Sequence, residues 1–418
     1  MDCFNFWNNS AVEVHIIGAG LSGLACAVHL TKKNLPITIY EATDHAGGRC
    51  RSFFDNVLER KIDNGNHLIL SGNHQAKAYM QAINSLDSMF QLTQARFPFL
   101  DLKNGDRWSV NTSRRFQLPD SSVLDLPSII KLAWASESST VAEIMNTSRP
   151  LYKKLWEPLC VSILNTAPED ASASLLWSVL RQTFGRGAKA CRPCIAKNGL
   201  SESLIDPALK LLEQKGVFIL FNKRLKSLCL RDGRAIALTF GRDKIYLGPN
   251  DIVILALPIS ATGELLPGMR FPDQHNSIVN AHFILPRKYK SHNFLGLIGG
   301  VSQWLFVRQD IASVTVSAAD KLIKKTNKKV AHILWPEVLR ALDLKKETLP
   351  PYRIIKEKHA TIAQTPEQIR LRPNAQTEWS NLLLAGDWTN TGLPATIEGA
   401  ITSGHRAAEV ICRQQEQI

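Results

Sequence analysis

The sequence predicts an α/β protein in which a Rossmann-like domain is interrupted by an inserted α+β domain. A short apolar run, Val14–Ile17, leads directly into a glycine-rich turn and then into residues with helical spacing. A second apolar run, at residues 36–40, ends in the acidic Glu41. A third run, at residues 381–384, lies near the far end of the chain and precedes a Gly-Asp pair. Such runs are typical of strands buried on both faces of a parallel sheet, so we expect them to share one sheet.

The glycine-rich turn has the spacing G-x-G-x-x-G, and each glycine has its own physical role. Gly18 makes the tight turn out of the strand, Gly20 lets a diphosphate approach the backbone, and Gly23 lets helix and strand pack closely. The free N–H groups around Leu21 and Ser22, at the start of the helix, then face the diphosphate with the positive end of the helix dipole. The whole pattern predicts a bound adenine dinucleotide, whereas the glycines alone would also fit a turn without a ligand.

The residues after the second strand distinguish between kinds of dinucleotide. Glu41, with Ala42 beside it, is placed to accept hydrogen bonds from both hydroxyls of an adenosine ribose. Gly47 and Gly48 then allow a second close backbone approach to the diphosphate, and Arg49 can neutralise its charge with a planar fork. A nicotinamide dehydrogenase has no need of this second set of contacts with the diphosphate. The segment therefore favours a flavin over a nicotinamide-only dehydrogenase or an ordinary glycine turn with a solvated arginine.

The C-terminal segment supplies the groups that a flavin needs. Gly386 and Asp387 end the third strand, and the aspartate suits hydrogen bonding to a ribityl hydroxyl and a neighbouring phosphate. The N–H groups around Thr396 and Ile397, at the start of the last helix, can stabilise the reduced anion of an isoalloxazine ring. Taken alone, Asp387 could be a plain turn residue. Together with the N-terminal motifs, these residues predict FAD as the cofactor.

Three stretches resemble the flavin amine oxidase and phytoene desaturase superfamily and, within it, the hydroxysqualene dehydroxylase family. They are residues 62–70 (IDNGNHLIL), 303–306 (QWLF) and 385–400 (AGDWTNTGLPATIEGA). The resemblance extends from about residue 12 to residue 411, while residues 197–199 (KNG) depart from the short turn expected before the next helix. It implies an FAD-binding domain of the GR2 flavoprotein type, in which the backbone near Leu225 holds the adenine.

The same resemblance implies a reaction. Reduced FAD would deliver a hydride to hydroxysqualene at the carbon bearing the hydroxyl, giving squalene and water in squalene and hopanoid biosynthesis. Because a hydroxyl leaves poorly unless it is protonated, a proton donor must lie above the flavin. His67 and Asn66 are the catalytic candidates, and we expect Asp63 to hold their turn by hydrogen bonds to the backbone. His67 could equally be a structural histidine, and the sequence does not indicate the electron donor.

The implied substrate is an apolar C30 isoprenoid, which calls for a long, aromatic-lined tunnel. Alternatives stay open. The chain could be a carotenoid-type desaturase or an amine oxidase of the same superfamily, or a non-catalytic isoprenoid-binding protein.

The predicted FAD-binding domain is discontinuous. It comprises residues 11–70, 198–260 and 376–418, and the substrate domain comprises residues 71–197, mainly helical, and 261–375. Within them we expect a helix at residues 201–214, strands at 217–220, 251–258 and 302–307, and a hairpin turn at 231–234. Large apolar side chains between residues 122 and 185, including Trp134 and Phe184, are expected mainly in a helical core. Residues 296–300 (GLIGG) lack a following helical pattern, so we expect no docked NAD(P)H domain.

Composition limits the partners. The 418 residues carry a net charge of +13, but no nucleic-acid-binding module accompanies it, so we expect no nucleic acid partner. The charge fits either solvated faces or peripheral contact with an anionic membrane. No apolar stretch reaches the ~20 residues that span a bilayer, and residues 1–10 do not resemble a secretory signal.

The eight cysteines are scattered along the chain, as in reduced cytoplasmic proteins. We therefore expect a cytoplasmic protein, and peripheral contact with the inner face of the cytoplasmic membrane is one of the two interpretations of its charge. A C-x-x-C pair at residues 191–194 lacks the second pair or the histidines of a zinc site, so we expect no metal and interpret the pair as coincidental.

Overall fold

The computed structural model describes residues 12–112, 126–345 and 348–416. Its strands are β1 (Val14–Ile17), β2 (Ile37–Tyr40), β3 (Ser52–Asp55), β4 (Arg60–Asp63), β5 (Ile69–Leu70), β6 (Met89–Gln91), β7 (Arg96–Asp101), β8 (Arg107–Asn111), β9 (Pro193–Ala196), β10 (Phe218–Leu220), β11 (Ser227–Arg231), β12 (Arg234–Phe240), β13 (Asp243–Tyr246), β14 (Ile252–Leu255), β15 (His275–Ile298), β16 (Trp304–Val316), β17 (Tyr352–Ile362) and β18 (Leu382–Leu384). Its helices are α1 (Leu21–Leu30), α2 (His74–Ala82), α3 (Leu126–Ala133), α4 (Val141–Ile144), α5 (Glu157–Leu164), α6 (Ala173–Gln182), α7 (Asp206–Gln214), α8 (Ile259–Leu265), α9 (Asn327–Ala341), α10 (Pro366–Arg370) and α11 (Ile397–Glu416).

A parallel sheet of five strands, in the order β10-β2-β1-β14-β18, forms the centre of the fold. Its strands come from three distant parts of the chain, as expected from the apolar runs at residues 14–17, 36–40 and 381–384. The predicted Rossmann-like α/β fold is thereby confirmed. The boundaries proposed for the five domain segments stay a prediction.

Both faces of this sheet are buried, which explains why its strands are almost wholly apolar. Successive side chains alternate between two hydrophobic clusters, with Ile16 and Ile254 on one face and Ile17 and Leu255 on the other. Helices α1, α7 and α11 cover the first face, and the antiparallel sheet β11-β12-β13 packs on the second.

Glycines allow the helices to approach this sheet and each other closely. A β-carbon on Gly23 would collide with the carbonyl oxygen of Gly18, and one on Gly404 would collide with that of Ser22. The first contact sets α1 against the end of β1, and the second sets α11 against α1. The predicted role of Gly23 in helix–strand packing agrees with this geometry.

A second, largely antiparallel sheet, β16-β15-β7-β8 with β17 paired to β15, forms the other half of the fold. Helix α9 packs on one face of it, where Leu334 and Val338 contact a core that includes Val279 and Val314. Side chains from the opposite face, including Phe306, line a large cavity. The sheet thus separates its own core from a cavity that it shares with the parallel-sheet half.

Helices α3 to α6 form a layer with a separate hydrophobic core. Leu132 is fully buried in that core, as predicted for this region, and Phe184 lies partly buried against it. Trp134 departs from the prediction, because it is 85% exposed. It follows the last residue of α3 on the outward side of the helix, where the core does not reach it.

Most local predictions between residues 200 and 310 are confirmed. Strands β10 and β14 lie within the predicted runs, and the hairpin between β11 and β12 turns at residues 232 and 233, both with positive φ. The helix predicted at residues 201–214 begins with a π-helical turn, Ser201–Ile205, before α7. Residues 296–300 end β15 and lead into β16, so a strand follows them where a dinucleotide motif requires a helix. Among the described residues, no helix is long and apolar enough to cross a membrane.

Candidate active site

One cavity of about 1170 Å³ brings together the residues that the sequence singles out. All predicted cofactor-binding residues except Gly23 line it: Gly18, Gly20, Leu21, Ser22, Glu41, Ala42, Gly47, Gly48, Arg49, Leu225, Gly386, Asp387, Thr396 and Ile397. His67 and Asn66 line it as well. Because small-molecule pockets rarely exceed ~1,000 Å³, the volume leaves room for a large cofactor together with a substrate.

The two glycine-rich turns lie side by side at one end of the cavity. The N–H of Gly47 donates to the carbonyl of Ala19 over 2.8 Å, and a β-carbon on Gly20 would meet only open space. Helix α1 begins here with no side-chain cap and no acidic residue in its first turn. Its free N–H groups and positive dipole therefore remain available to an anion, as in known dinucleotide sites.

The Glu41 carboxylate links this turn to the end of β2. One of its oxygens accepts a hydrogen bond from the N–H of Ala19 at 2.9 Å, and the other accepts from the N–H and the hydroxyl of Thr43, both at 2.9 Å. A carboxylate has about four acceptor positions, so it can still bind hydroxyl groups from the cavity side. The contribution of Thr43 was not predicted, although hydroxyl residues often follow such a turn.

An ion pair joins the N-terminal and C-terminal motifs across the cavity. Arg49 donates to Asp387 at 2.6 Å and to the carbonyl of Ala360 at 2.5 Å. Asp387 raises the pKa of the Arg49 guanidinium, which therefore stays charged. The Arg49 side chain is still 45% exposed, so other donors of its fork can reach an anion in the cavity.

Arg372, which no sequence motif marks, braces the loop that carries Asp387. Its guanidinium is only 5% exposed and donates to the backbone carbonyls of Asp387 at 3.0 Å, Leu393 at 2.7 Å and Thr389. Burial lowers its pKa to about 10, which leaves it protonated at neutral pH. The loop from Asp387 to Leu393 is thus held from behind by one buried cation.

The start of α11 meets the start of α2 beside the same loop. Glu398, in the first turn of α11, accepts hydrogen bonds from the N–H groups of Gln75 at 2.9 Å and Ala76 at 2.8 Å. Burial raises the pKa of its carboxyl group. Glu398 satisfies the first turn of α2, while Thr396 and Ile397 at the entry of α11 face the cavity.

The far part of the cavity is apolar and aromatic. Its lining comes from β7, β8, α5, α6, β16 and the segments beside them, and includes Phe97, Phe99, Val110, Leu159, Ile163, Val179, Phe184, Trp304 and Phe306. The strand predicted at residues 302–307 supplies two of these side chains. Such a wall suits an extended hydrocarbon and excludes water.

His67 borders the cavity next to Arg49. Burial and the Arg49 charge lower its pKa, while Asp63 acts in the opposite sense. Neighbouring Asn66 donates from its amide to the hydroxyl of Thr315 at 3.0 Å, which fixes the orientation of that side chain. The geometry leaves His67 open to the cavity and anchors Asn66 beside it.

The prediction that Asp63 holds the following turn by hydrogen bonds to its backbone was wrong. Its carboxylate accepts from the hydroxyl of Ser52 at 2.6 Å, the N–H of Leu200 at 2.9 Å and the Arg308 guanidinium at 2.9 Å, none of them in the turn after Asp63. Asp63 therefore links β4 to Ser52 in β3, to Leu200 and to Arg308 in β16. Such contacts between distant segments cannot be inferred from a local turn motif.

Three further titratable groups on the cavity wall were missed. The rings of His275 and His359 lie 4.7 Å apart, and Glu357 accepts from the amide of Asn64 at 3.4 Å. Burial, followed by the neighbouring His359, lowers the pKa of His275. Pairing of β15 with β17 brings these groups together, and nothing in the separate strand sequences indicates it.

The C-x-x-C pair lies away from this chemistry. Cys191 and Cys194 are both buried, free thiols, and burial raises the pKa of each to about 11. Thiols of this kind are poor nucleophiles. Among residues 12–112, 126–345 and 348–416, no group of three His, Cys, Asp or Glu side chains could hold a metal ion.

The family model for flavin-containing amine oxidoreductases matches residues 21–412. The chain is similar to hydroxysqualene dehydroxylases from Sinorhizobium fredii (42% identity, covering 95% of this chain and 98% of that one) and Rhodopseudomonas palustris (41%, covering 95% and 98%). It also resembles the solved structure of an oxidoreductase from Methanosarcina mazei, with a TM-score of 0.74, 13% identity and coverage of 95% of this chain and 100% of that chain. That last likeness concerns the fold.

Proposed function

Because the chain belongs to the flavin-containing amine oxidoreductase family and, within it, to the hydroxysqualene dehydroxylases, we propose that it reduces hydroxysqualene to squalene with FAD as its cofactor. Family membership confirms the predicted enzyme class and the flavin. One observation carries the proposed reaction: a single cavity has a polar end built from the dinucleotide motifs and an apolar end lined by aromatic side chains. A cofactor and a hydrocarbon substrate can therefore meet inside it.

The residues at the polar end fit FAD in shape and charge. Open space beside Gly20 and the free start of α1 suit a diphosphate, and Glu41 suits a ribose. Arg49 adds positive charge at the same end, while Asp387 and the entry of α11 are placed for the ribityl and isoalloxazine parts. Bound FAD, once reduced, supplies the hydride that the reaction consumes.

The apolar end binds the substrate by removing hydrocarbon from water. Each Å² of apolar surface buried there contributes about 25 cal/mol, so a C30 chain gains affinity along its whole length without a specific polar contact. The aromatic walls from β7 and β16 also keep water from the reacting carbon. Position in the cavity, rather than a hydrogen bond, then selects the carbon that reacts.

We assign the proton that the leaving hydroxyl needs to the imidazole of His67. A lowered pKa makes the protonated ring a stronger acid but reduces its population at neutral pH. Asn66, held by Thr315, is the candidate for orienting the hydroxyl. His275 and His359, whose rings lie 4.7 Å apart, are on the wall of the same cavity and are the candidates to resupply protons.

The place of action is also part of the proposal. An apolar C30 substrate dissolves in the bilayer, and the net charge of +13 favours contact with anionic headgroups. The cysteines that the structure describes are all free thiols, in keeping with a reducing compartment. We therefore place the protein in the cytoplasm, at the inner face of the cytoplasmic membrane.

The test is an anaerobic turnover assay. Purified protein, reduced with dithionite, is mixed with hydroxysqualene, and squalene is measured by gas chromatography with mass detection. We expect squalene in proportion to reduced flavin, and no squalene from oxidised protein. Desaturation of phytoene, peroxide release from amines in air, or a colourless protein that binds isoprenoids without turnover would each support one of the alternatives and contradict the proposal.

A further inference from the structure

Helix α3 presents an apolar stripe to the outside. Pro127, Ile130, Lys131 and Trp134 are exposed and follow the i, i+3, i+4, i+7 spacing of one helix face. Ile130 is 59% exposed and Trp134 is 85% exposed. The helical turn continues to Trp134, whose N–H donates to the carbonyl of Lys131 at 3.1 Å. We call these four residues the outer stripe.

The opposite face of α3 is fixed to the protein. Leu132 is fully buried among side chains of α4, α5 and α6, including Val141, Leu164 and Leu176. Within the described residues, α3 thus already buries one face in the core, and the outer stripe is its second, outward face. An ordinary surface helix carries polar residues on its outer face, whereas here Lys131 is the one charged residue of the stripe.

The composition of the outer stripe suits the boundary between headgroups and acyl chains. A tryptophan and an isoleucine can enter the lipid while the adjacent lysine contacts anionic phosphate groups. Helix α3 has no acidic residue, and the chain as a whole is basic. A second copy of the chain fits less well, because three apolar side chains supply well under the ~800 Å² per partner of a stable interface.

The position of the outer stripe links it to the cavity. Helix α3 packs on α6 through Leu132, and α6 places Val179 and Gln182 on the cavity wall. One layer of helices thus lies between the stripe and the apolar end of the cavity. An occupant of the stripe would lie next to the chamber where a hydrocarbon substrate must arrive.

We propose that the outer stripe docks the protein on an anionic phospholipid bilayer, with Trp134 and Ile130 entering the acyl boundary and Lys131 contacting the headgroups. The docking would deliver a lipid-dissolved substrate to the cavity, and this role rests on the proposed function. The docking itself is a binding event that can be measured without turnover.

The test uses the FAD-loaded full chain and vesicles of phosphatidylcholine with or without phosphatidylglycerol. We expect the wild type to sediment with the anionic vesicles, and the double variant Ile130→Ser/Trp134→Ser to bind about tenfold or more weakly, since two apolar anchors are lost. Lys131→Glu should weaken binding to anionic vesicles while leaving binding to neutral ones unchanged. Tyr246→Ser, which removes another side chain with 66% exposure from β13, serves as the matched control and should bind like the wild type.

Wild-type binding by the double variant, or no binding of the wild type to anionic vesicles, would overturn the proposal. So would a change in oligomeric state in the double variant, which would make the stripe a contact between copies. Flavin absorbance and the melting temperature verify that each variant is folded. If the double variant does not fold, the docking is tested by quenching of tryptophan fluorescence with brominated lipids. Trp134→Phe must then remove most of the quenching seen in the wild type.

Turnover separates this proposal from the function on which it rests. Hydroxysqualene in detergent micelles should be reduced at the wild-type rate by the double variant, whereas hydroxysqualene in anionic vesicles should be reduced more slowly. Vesicle binding without any squalene formation would refute the proposed reaction and leave the docking intact. A double variant that reduces hydroxysqualene in anionic vesicles as fast as the wild type does would refute the docking and leave the reaction intact.

Discussion

Replacing Arg372 by methionine should loosen the cofactor site without touching a predicted cofactor residue. The guanidinium is 5% exposed and donates to carbonyls of Asp387, Thr389 and Leu393, and at 3.3 Å to the hydroxyl of Thr391. Methionine fills much of the volume of the side-chain stem but donates nothing. Three buried carbonyl groups then lose a charged donor.

The magnitude follows from these contacts. A hydrogen bond from a charged donor contributes about 1.5–3 kcal/mol, but bonds from one group are not additive. A buried acceptor left without its donor costs about 1–3 kcal/mol, so the loss of the donor to three carbonyls costs about 3–5 kcal/mol in total. With an unfolding entropy of about 2.1 cal/mol/K per residue over 418 residues, this lowers the melting temperature by about 3–6 °C. If half of that free energy is expressed in the loop at Asp387, FAD affinity falls by roughly tenfold or more.

The assay is titration of the apoprotein with FAD, followed by flavin fluorescence, alongside thermal unfolding. Arg406→Met is the matched control, because Arg406 donates to the carbonyl of Asn390 in the same loop at 2.7 Å but is exposed. We expect Arg406→Met to bind FAD within about twofold of the wild type. If Arg372→Met also binds FAD within twofold and melts like the wild type, the bracing role is refuted.

Three other expectations can be measured on single variants. Gly20→Ala should keep the melting temperature of the apoprotein but weaken FAD binding about tenfold or more. Gly23→Ala should destabilise the apoprotein itself, because the added β-carbon meets the carbonyl of Gly18. Equal behaviour of the two variants in thermal unfolding and FAD titration would contradict this. His67→Gln should lower kcat about 100-fold or more and remove the rise in rate that the wild type shows as pH falls through the lowered pKa of His67, while an unchanged pH–rate profile would exclude a proton-donating role. Burial lowers the pKa of His282 to about 4, whereas the unfolded chain takes up this proton near pH 6.5. The free energy of unfolding should therefore fall by about 3 kcal/mol as the pH falls from 6.5 to 4. Urea unfolding across this pH range should show a smaller decrease in His282→Gln.

The dinucleotide motifs could be predicted because their constraints are local. A turn that needs Gly18, and an acid at the end of the next strand, are visible within 30 residues or so of sequence. The C-terminal motif was predicted for the same reason, and the parallel sheet then brings it beside the N-terminal one.

The remaining parts of the site depend on contacts that no short window contains. Arg372 acts through carbonyl groups 15 to 21 residues away, and a backbone acceptor leaves no trace in the sequence. The contact between His275 and His359 depends on the register between β15 and β17, whose pairing begins at His275 and Ile362. Asp63 was misjudged because its donors come from three separate segments.

Strand β18 closes one edge of the parallel sheet, and the helix after it packs against α1. During synthesis β14 and α1 leave the ribosome well before β18 and α11, so the edge of β14 and one side of α1 stay uncovered until Leu382 and the residues after it have been made. The predicted FAD site is incomplete before that moment, because Gly386, Asp387, Thr396 and Ile397 have not yet been translated. We expect the newly made chain to depend on chaperones until β18 and α11 have been added.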